Sequence, residues 1–305
     1  MKKNILLFSL FFLLSIGFAD ETLRKSEFKG EVFNPIKIRC YNKKVFILDK
    51  AEMSIKVIDN EGKIILRLGQ KGQGPGEFTN VTDFCINDQK VYVLDAEGFK
   101  IEIFSEIDGK YIISKKINLS NPYNIAVNNK KIYISTITFL EGQKLLHAFI
   151  EENGLKPIAS FLDCIPMEGL NFDSIYKNFG ILTVSHENIF FAFYLSNKVV
   201  KFSENGMLVR EYFLPIKSIE KPEIEQKGLN VLLKRALNYD MISKDKFIYL
   251  LSRDKKGDSI IFQLENGNFI KKFNIREKLV SFDILEDKLW GIDEEGRVLI
   301  YEVKE

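Results

Sequence analysis

One six-residue phrase recurs along the chain and limits what it can fold into. It reads "KVFILD" at 44–49, "KVYVLD" at 90–95 and "KIYIST" at 131–136, then continues as "NIFFAF" at 188–193, "FIYLLS" at 247–252 and "KLWGID" at 288–293. Six copies set 41 to 59 residues apart have the spacing of propeller blades, in which each repeat is one small sheet. Within the second copy, Val91 and Val93 point to one side of the sheet while Tyr92 and Leu94 point to the other, so both faces are apolar. A sheet that must be covered on both sides needs a neighbour on each, and a closed ring of blades supplies them.

The second copy also gives the grammar of a blade. The run "DFCIN" is followed by the turn "DQ", then "KVYVLD", the turn "AEGF", "KIEIFS", the turn "EIDG" and "KYIISKKINL". Four strands joined by tight hairpins make an antiparallel meander. The sixth copy stops short after "RVLIYEV", whereas Leu23–Phe33 is a spare β-like stretch ahead of the first. That stretch is expected to supply the missing outer strand of the last blade, closing the ring and removing an exposed edge. The reading is all-β, a six-bladed β-propeller of four-stranded antiparallel blades forming one domain over 20–305. One insertion departs from it: in 219–238, Leu229, Leu232, Leu233 and Leu237 fall at helical spacing and predict a short amphipathic helix lying over the ring.

Residues 1–19 read as a secretory signal peptide, with Lys2 and Lys3, an apolar run from Ile5 to Phe18, and small residues before Asp20. The run is shorter than the roughly 20 residues that a membrane span needs. No cysteine follows the small residues to take a lipid, so a periplasmic or secreted protein without a stable membrane anchor is expected. Removing this segment takes away two lysines and no acids, so the formal charge falls from +2 to about zero. With lysines scattered along the chain, nothing recruits nucleic acid. Cys40, Cys85 and Cys164 each sit among apolar residues ("IRCY", "FCIN", "LDCI") and read as small buried hydrophobes; a monomer is expected.

The phrases "VFILD", "IKVIDNEGKII", "GQKGQGPGEF", "VYVLD" and "IEIFSEIDGKYI" make the chain resemble the NHL-repeat and TolB-like six-bladed propellers, and more narrowly exported bacterial six-bladed β-propeller proteins. In that family a proline commonly follows the phenylalanine of the glycine-rich loop by three residues; Val81 stands there in this chain. The resemblance implies a fold rather than one activity, because such propellers include binding scaffolds, hydrolases, lyases and dehydrogenases. Its gluconolactonase-like and paraoxonase-like members hold calcium or a similar ion with carboxylates and amides at the channel mouth. Asp83, Asn124, Asp240 and Asp283, at or next to the entries to innermost strands, would be the corresponding ligands, and hard oxygen donors suit calcium. The same residues also suit turn capping.

Other chemistry finds little to work with. The loop "GQKGQGPGEF" leads into strand rather than the helix that a phosphate site requires. Gly69, Gly72, Gly74 and Gly76 there permit left-handed turns and close approach, Pro75 stiffens the crossing from one blade to the next, and Phe78 anchors its end. With two histidines, His147 and His186, three-histidine zinc ligation is excluded, and no G-x-S-x-G elbow occurs. Asp49, Asp95 and Asp293 end the second strand of their blades, a recurrence that predicts a hairpin role. Two functions remain. The first is a non-enzymatic propeller that needs no cofactor and binds a protein, peptide or glycan on the face carrying the blade-to-blade loops. The second is a calcium-dependent lactonase or esterase acting at the channel mouth on that face.

Overall fold

Every copy of the repeated phrase is the second strand of a blade. In the computed structural model, which describes residues 23–152, 154–166, 176–218, 224–227, 230–233 and 235–303, strand β1 (Leu23–Glu27) precedes the first blade. Blade 1 is β2 (Pro35–Tyr41), β3 (Lys44–Asp49), β4 (Ser54–Ile58) and β5 (Ile64–Leu68); the short β6 (Gln70–Lys71) and β7 (Glu77–Phe78) follow it. Blade 2 is β8 (Val81–Asn87), β9 (Lys90–Asp95), β10 (Lys100–Ser105) and β11 (Tyr111–Lys116). Blade 3 is β12 (Pro122–Asn128), β13 (Lys131–Thr136), β14 (Lys144–Glu151) and β15 (Leu155–Asp163), and blade 4 is β16 (Gly180–Ser185), β17 (Asn188–Phe193), β18 (Lys198–Ser203) and β19 (Leu208–Phe213). After a hairpin of β20 (Ile224–Lys227) and β21 (Asn230–Leu233), blade 5 is β22 (Asn238–Lys244), β23 (Phe247–Arg253), β24 (Ser259–Glu265) and β25 (Asn268–Ile275). Blade 6 is β26 (Leu279–Leu285), β27 (Lys288–Asp293) and β28 (Val298–Val303), with β1 as its outer strand.

Residues 1–19, expected to be a signal peptide, lie outside the described residues. Strand β1 pairs antiparallel with β28, from Leu23 opposite Val303 to Glu27 opposite Leu299, so the ring closes as the incomplete sixth copy predicts. Each innermost strand contacts those of both neighbouring blades. No helix among the described residues is long and apolar enough to cross a membrane.

The core is divided among the six junctions between blades. Val91 and Val93 pack with Phe46, Leu48 and Phe84 between blades 1 and 2, while Tyr92 and Leu94 pack with Ile125, Ile132 and Ile134 between blades 2 and 3. The same alternation sends Ile189 and Phe191 of β17 toward blade 3, and Phe190 and Ala192 toward blade 5. Tight turns make it repeat. The two-residue turn between the first and second strands of each blade opens with a left-handed residue: Asn42, Asp88, Asn129, His186, Asp245 and Glu286 have φ from 46° to 55°. His186 is therefore a turn residue. His147, on β14, lies 3.2 Å from Thr136 Oγ1 and 2.9 Å from Ser160 Oγ, and burial holds its imidazole below the usual value.

The segment read as a helix is a strand pair instead. Strands β20 and β21 run antiparallel, with Ile224 opposite Leu233 and Lys227 opposite Asn230. A helix this short is marginal in water, and apolar residues three and four apart do not distinguish a short helix from a hairpin.

The glycine-rich loop crosses from blade 1 to blade 2. Gly69 and Gly76 are left-handed (φ 73° at each), whereas Gly72 and Gly74 leave room for Glu77, which folds back to accept from Gly74 N–H at 2.9 Å and Gln70 Nε2 at 2.8 Å. Lys100 Nζ donates to the carbonyls of Glu77 (2.8 Å) and Gly74 (3.2 Å), tying the loop to blade 2. Phe78 is fully buried, edge-on to Phe104 with ring centroids 5.9 Å apart.

Two glycines separate backbone strain from crowding. Gly62 (φ 83°) has nothing within 4 Å of an added Cβ, while at Gly69 an added Cβ would lie 2.1 Å from the Phe78 ring. Gly62→Ala is expected to cost about 1–2 kcal/mol, the backbone penalty alone. Gly69→Ala should cost more, because Phe78 must also leave its pocket; urea-denaturation midpoints of the two variants check the order.

Candidate functional site

The same backbone irregularity recurs where five of the innermost strands begin. In β2, β8, β12, β22 and β26 the register against the second strand slips by one residue, as where Pro122 pairs with Thr136 but Asn124 pairs with Ser135. The skipped residues are Ile36, Thr82, Tyr123, Tyr239 and Val280, and all five line one cavity of about 650 Å³ at this mouth of the central channel. A bulge takes a residue off the ladder and re-aims its side chain. Strand β16 has no such slip, and Phe179 and Ile181 serve there instead.

One side of this cavity is aromatic. Tyr123 and Tyr194 have hydroxyls 2.9 Å apart, one donating to the other. The Phe179 ring lies between them and Tyr176, with centroids 5.4 Å from Tyr123, 6.0 Å from Tyr194 and 5.4 Å from Tyr176. Burial raises the hydroxyls of Tyr123, Tyr194 and Tyr239, so all three remain protonated at neutral pH. Polar side chains also line it, namely Lys37, Thr82, Ser281 and Glu294, beside the apolar Ile36 and Val280. Thr82 Oγ1 is buried without a hydrogen-bond partner among the described residues.

Beneath the cavity the acids serve the ring. An innermost strand has no neighbour on its channel side, so its outward N–H groups need acceptors. Ile125 N–H donates to Asp83 Oδ2 of the preceding blade (2.9 Å), Phe282 N–H to Asp240 Oδ2 (3.1 Å) and Ile38 N–H to Ser281 Oγ (3.1 Å). One pleat further along, Cys40 N–H donates to Asp283 Oδ2 (2.8 Å). Two cations complete the belt. Lys37 pairs with Asp83, and Arg39 reaches from blade 1 to blade 5, donating to both oxygens of Asp240 at 2.7 and 2.8 Å.

The four candidate metal ligands therefore do not share a site. Asn124 and Asp240 line the aromatic cavity, but Asn124 Oδ1 accepts from Ser135 Oγ (3.1 Å) and Asp240 is held by Arg39, Ser281 and two backbone amides. Asp83 is fully buried between Lys37, Ile125 N–H and its own strand. Asp283 faces a second cavity of about 320 Å³, which is lined by the later residues of the same strands, including Arg39, Cys40 and Cys85. Among the described residues no three His, Cys, Asp or Glu side chains are placed to hold a metal ion. The channel set does not fit calcium, whose carboxylate and carbonyl ligands must converge on one point, because these side chains are dispersed and held by other partners. Burial raises the thiols of Cys40 and Cys85 and keeps them protonated.

The hairpin aspartates bind backbone. Asp49 accepts from Phe33, Asn34 and Ala51 N–H at 2.9–3.1 Å, and Asp95 accepts from Thr79, Asn80 and Gly98 N–H at 2.8–3.1 Å. Each clamps the segment entering its blade against the end of the second strand. Asp293 instead holds its own turn, through the N–H groups of Glu295 and Arg297 and the Arg297 side chain.

The bulges and aromatic contacts were missed in the sequence, although Tyr123 and Tyr239 directly precede Asn124 and Asp240. A one-residue register slip leaves no mark in composition. The adjacency of tyrosine to a strand-entry polar residue, repeated in "PYN" and "NYD", was the available signal.

Burial alone would raise the Asp240 carboxyl, but the Arg39 charge and hydrogen bonds outweigh it and hold the group below the usual value. Its contribution is then present above the ordinary carboxylate value and lost as pH falls through the lower folded one. Asp283 is raised by burial, so its cost applies at neutral pH and disappears as pH falls through the raised value. Asp283→Asn is expected to remove that part of the pH dependence. Arg39→Met should cost about 3–5 kcal/mol by leaving Asp240 buried without its cation, and adding Asp240→Leu should recover most of the loss. Denaturation curves of the single and double variants from pH 4 to 8 check both.

Comparison with known proteins agrees with this architecture. The structure is similar to that of a Bacteroides fragilis protein described as exported (13% identity, covering 94% of this chain and 97% of that one, TM-score 0.61). It is also similar to a DUF4221 family member from Bacteroides vulgatus (10%, 92% and 96%, 0.60) and to virginiamycin B lyase from Staphylococcus aureus (10%, 92% and 99%, 0.57). At these identities the likeness shows the fold alone. No curated protein matches the sequence significantly. Residues 29–250 match the family described as 6-bladed beta-propeller, DUF5128, and the chain belongs to that family.

Proposed function

We propose that this protein is an exported, non-enzymatic propeller that binds a glycan in the aromatic cavity at the channel mouth. The observation that carries this reading is the cluster of Tyr123, Phe179 and Tyr194 in a cavity of about 650 Å³ that Thr82, Lys37 and Ser281 also line. A sugar ring has an apolar C–H face and a rim of hydroxyls. Tyrosine offers an apolar ring with a polar tip, and the polar side chains of the lining supply donors and acceptors for the rim. The volume falls within the range of small-ligand pockets, roughly 300–1,000 Å³. Export is supported by the basic, apolar and small-residue order of 1–19 and by similarity to a protein described as exported.

A metal-dependent hydrolase finds less support, because Asp83 and Asp240 are committed to Lys37, Arg39 and backbone amides, and Glu294 is paired with Arg253. A carboxylate fixed in this way is neither a free base nor a free ligand. Neither calcium nor chelator is expected to move the thermal midpoint; a calcium-dependent rise would restore the hydrolase reading.

Calorimetric titration with a panel of neutral and acidic oligosaccharides tests the binding reading. At least one is expected to bind the wild type, and Tyr194→Ala should weaken it by about threefold to tenfold, the worth of one aromatic contact. Unchanged affinity in that variant, or silence from every saccharide, overturns the reading.

A further inference from the structure

Next to the aromatic cavity, on the same face at the junction of blades 4 and 5, lies a second groove of about 500 Å³. The partition between the two is the segment Arg235–Asn238, which leads into β22. Ala236 and Asn238 line the aromatic cavity, and Arg235 and Leu237 line the groove. The chain leaves the groove at Ser218 and returns at Arg235, with the β20–β21 hairpin between.

The groove is cationic in a chain of nearly balanced charge. Lys217, Arg235, Arg253, Lys255 and Lys272 line it, against one acid, Asp254. Asp254 offsets one of the five cations, and its Oδ1 is taken up by the N–H groups of Lys256 and Asp258 at 2.8 and 2.9 Å, so the lining keeps a net positive charge. Arg253 is engaged on its other side, by Glu294 at 2.9 Å and over the Tyr239 ring at 4.3 Å, and so links groove to cavity. Arg235 donates to the Asp254 carbonyl at 2.8 Å. Lys217, Lys255 and Lys272 have no carboxylate partner among the described residues. Clefts lined by one sign of charge concentrate the opposite charge, and lysine ammonium groups hold oxyanions through charge-assisted bonds.

We propose that this groove is an oxyanion subsite, taking a carboxylate or sulfate of the ligand whose ring lies in the aromatic cavity, so that the preferred ligand is an acidic glycan. The proposal rests on the glycan reading above. It makes Lys217, Lys255 and Lys272 specificity residues on the other side of the Arg235–Asn238 partition from the aromatic cavity.

The test uses the full chain, the charge-reversed Lys217→Glu/Lys272→Glu variant and the charge-preserving Lys217→Arg/Lys272→Arg variant. Probes are an oligogalacturonide for carboxylate, a heparin tetrasaccharide for sulfate, a neutral dextrin, hexaglutamate and inorganic pyrophosphate. The wild type is expected to favour one acidic saccharide over dextrin by about tenfold, the worth of one charge-assisted bond. Charge reversal should abolish that ratio without changing dextrin affinity, as should about 0.5 M salt by screening; the arginine variant should keep it. An unchanged ratio after reversal overturns the subsite, and hexaglutamate binding in place of every saccharide overturns the acidic-glycan assignment. If no saccharide binds but pyrophosphate raises the melting temperature of the wild type and not of the reversed variant, the glycan reading fails and the anion groove stands. If pyrophosphate also has no effect, the groove falls with it.

Discussion

Apolar side chains on both faces of each second strand are the constraint on which this molecule depends. In β3, Phe46 and Leu48 pack toward blade 2 while Val45 and Ile47 pack toward blade 6, and the other blades repeat the arrangement. Burial therefore belongs to pairs of blades rather than to single sheets. A blade without a neighbour would leave one apolar face in water. This is why β1 matters beyond its five residues: by completing blade 6 against β28 it protects the last edge of a ring that must close.

Closing the ring creates a second requirement at its centre. Innermost strands leave amides unpaired on their channel side, and between blades 2 and 3, 5 and 6, and 6 and 1 these are answered by the carboxylates of Asp83, Asp240 and Asp283 and the hydroxyl of Ser281. Lys37 and Arg39 then balance the buried charge, and Arg39 ties blade 1 to blade 5 across the channel. Acids at a channel mouth look like chemistry in one dimension. In three dimensions they are the polar counterpart of the apolar junctions.

The sequence showed the elements that repetition makes visible. The phrases at 44–49 and 90–95 mark second strands because their two-sided apolar pattern recurs, and the shortened sixth copy pointed to closure by the N-terminal segment. It showed less where one copy differs from the rest. Residues 224–233 carry leucines that suit a helix and a hairpin equally, and pairing decided for the hairpin. The aromatic wall joins Tyr123, Phe179, Tyr194 and Tyr239 from three blades, a meeting that depends on ring closure and on a register slip invisible along the chain. Asn124 and Asp240 stand out along the chain by chemical type, whereas the tyrosines beside them matter through backbone position.

The recurring bulge has a consequence for how such a scaffold can change. Ile36, Thr82, Tyr123, Tyr239 and Val280 stand outside the strand ladders, but Ile36, Tyr239 and Val280 also pack against the buried clusters between blades. Exchanging Thr82 or Tyr123 alters the cavity wall while the ladder on either side keeps its bonds; exchanging one of the other three also touches a blade junction. The ring thus presents five positions around a single opening, of which two can change without disturbing the junctions that hold the ring together.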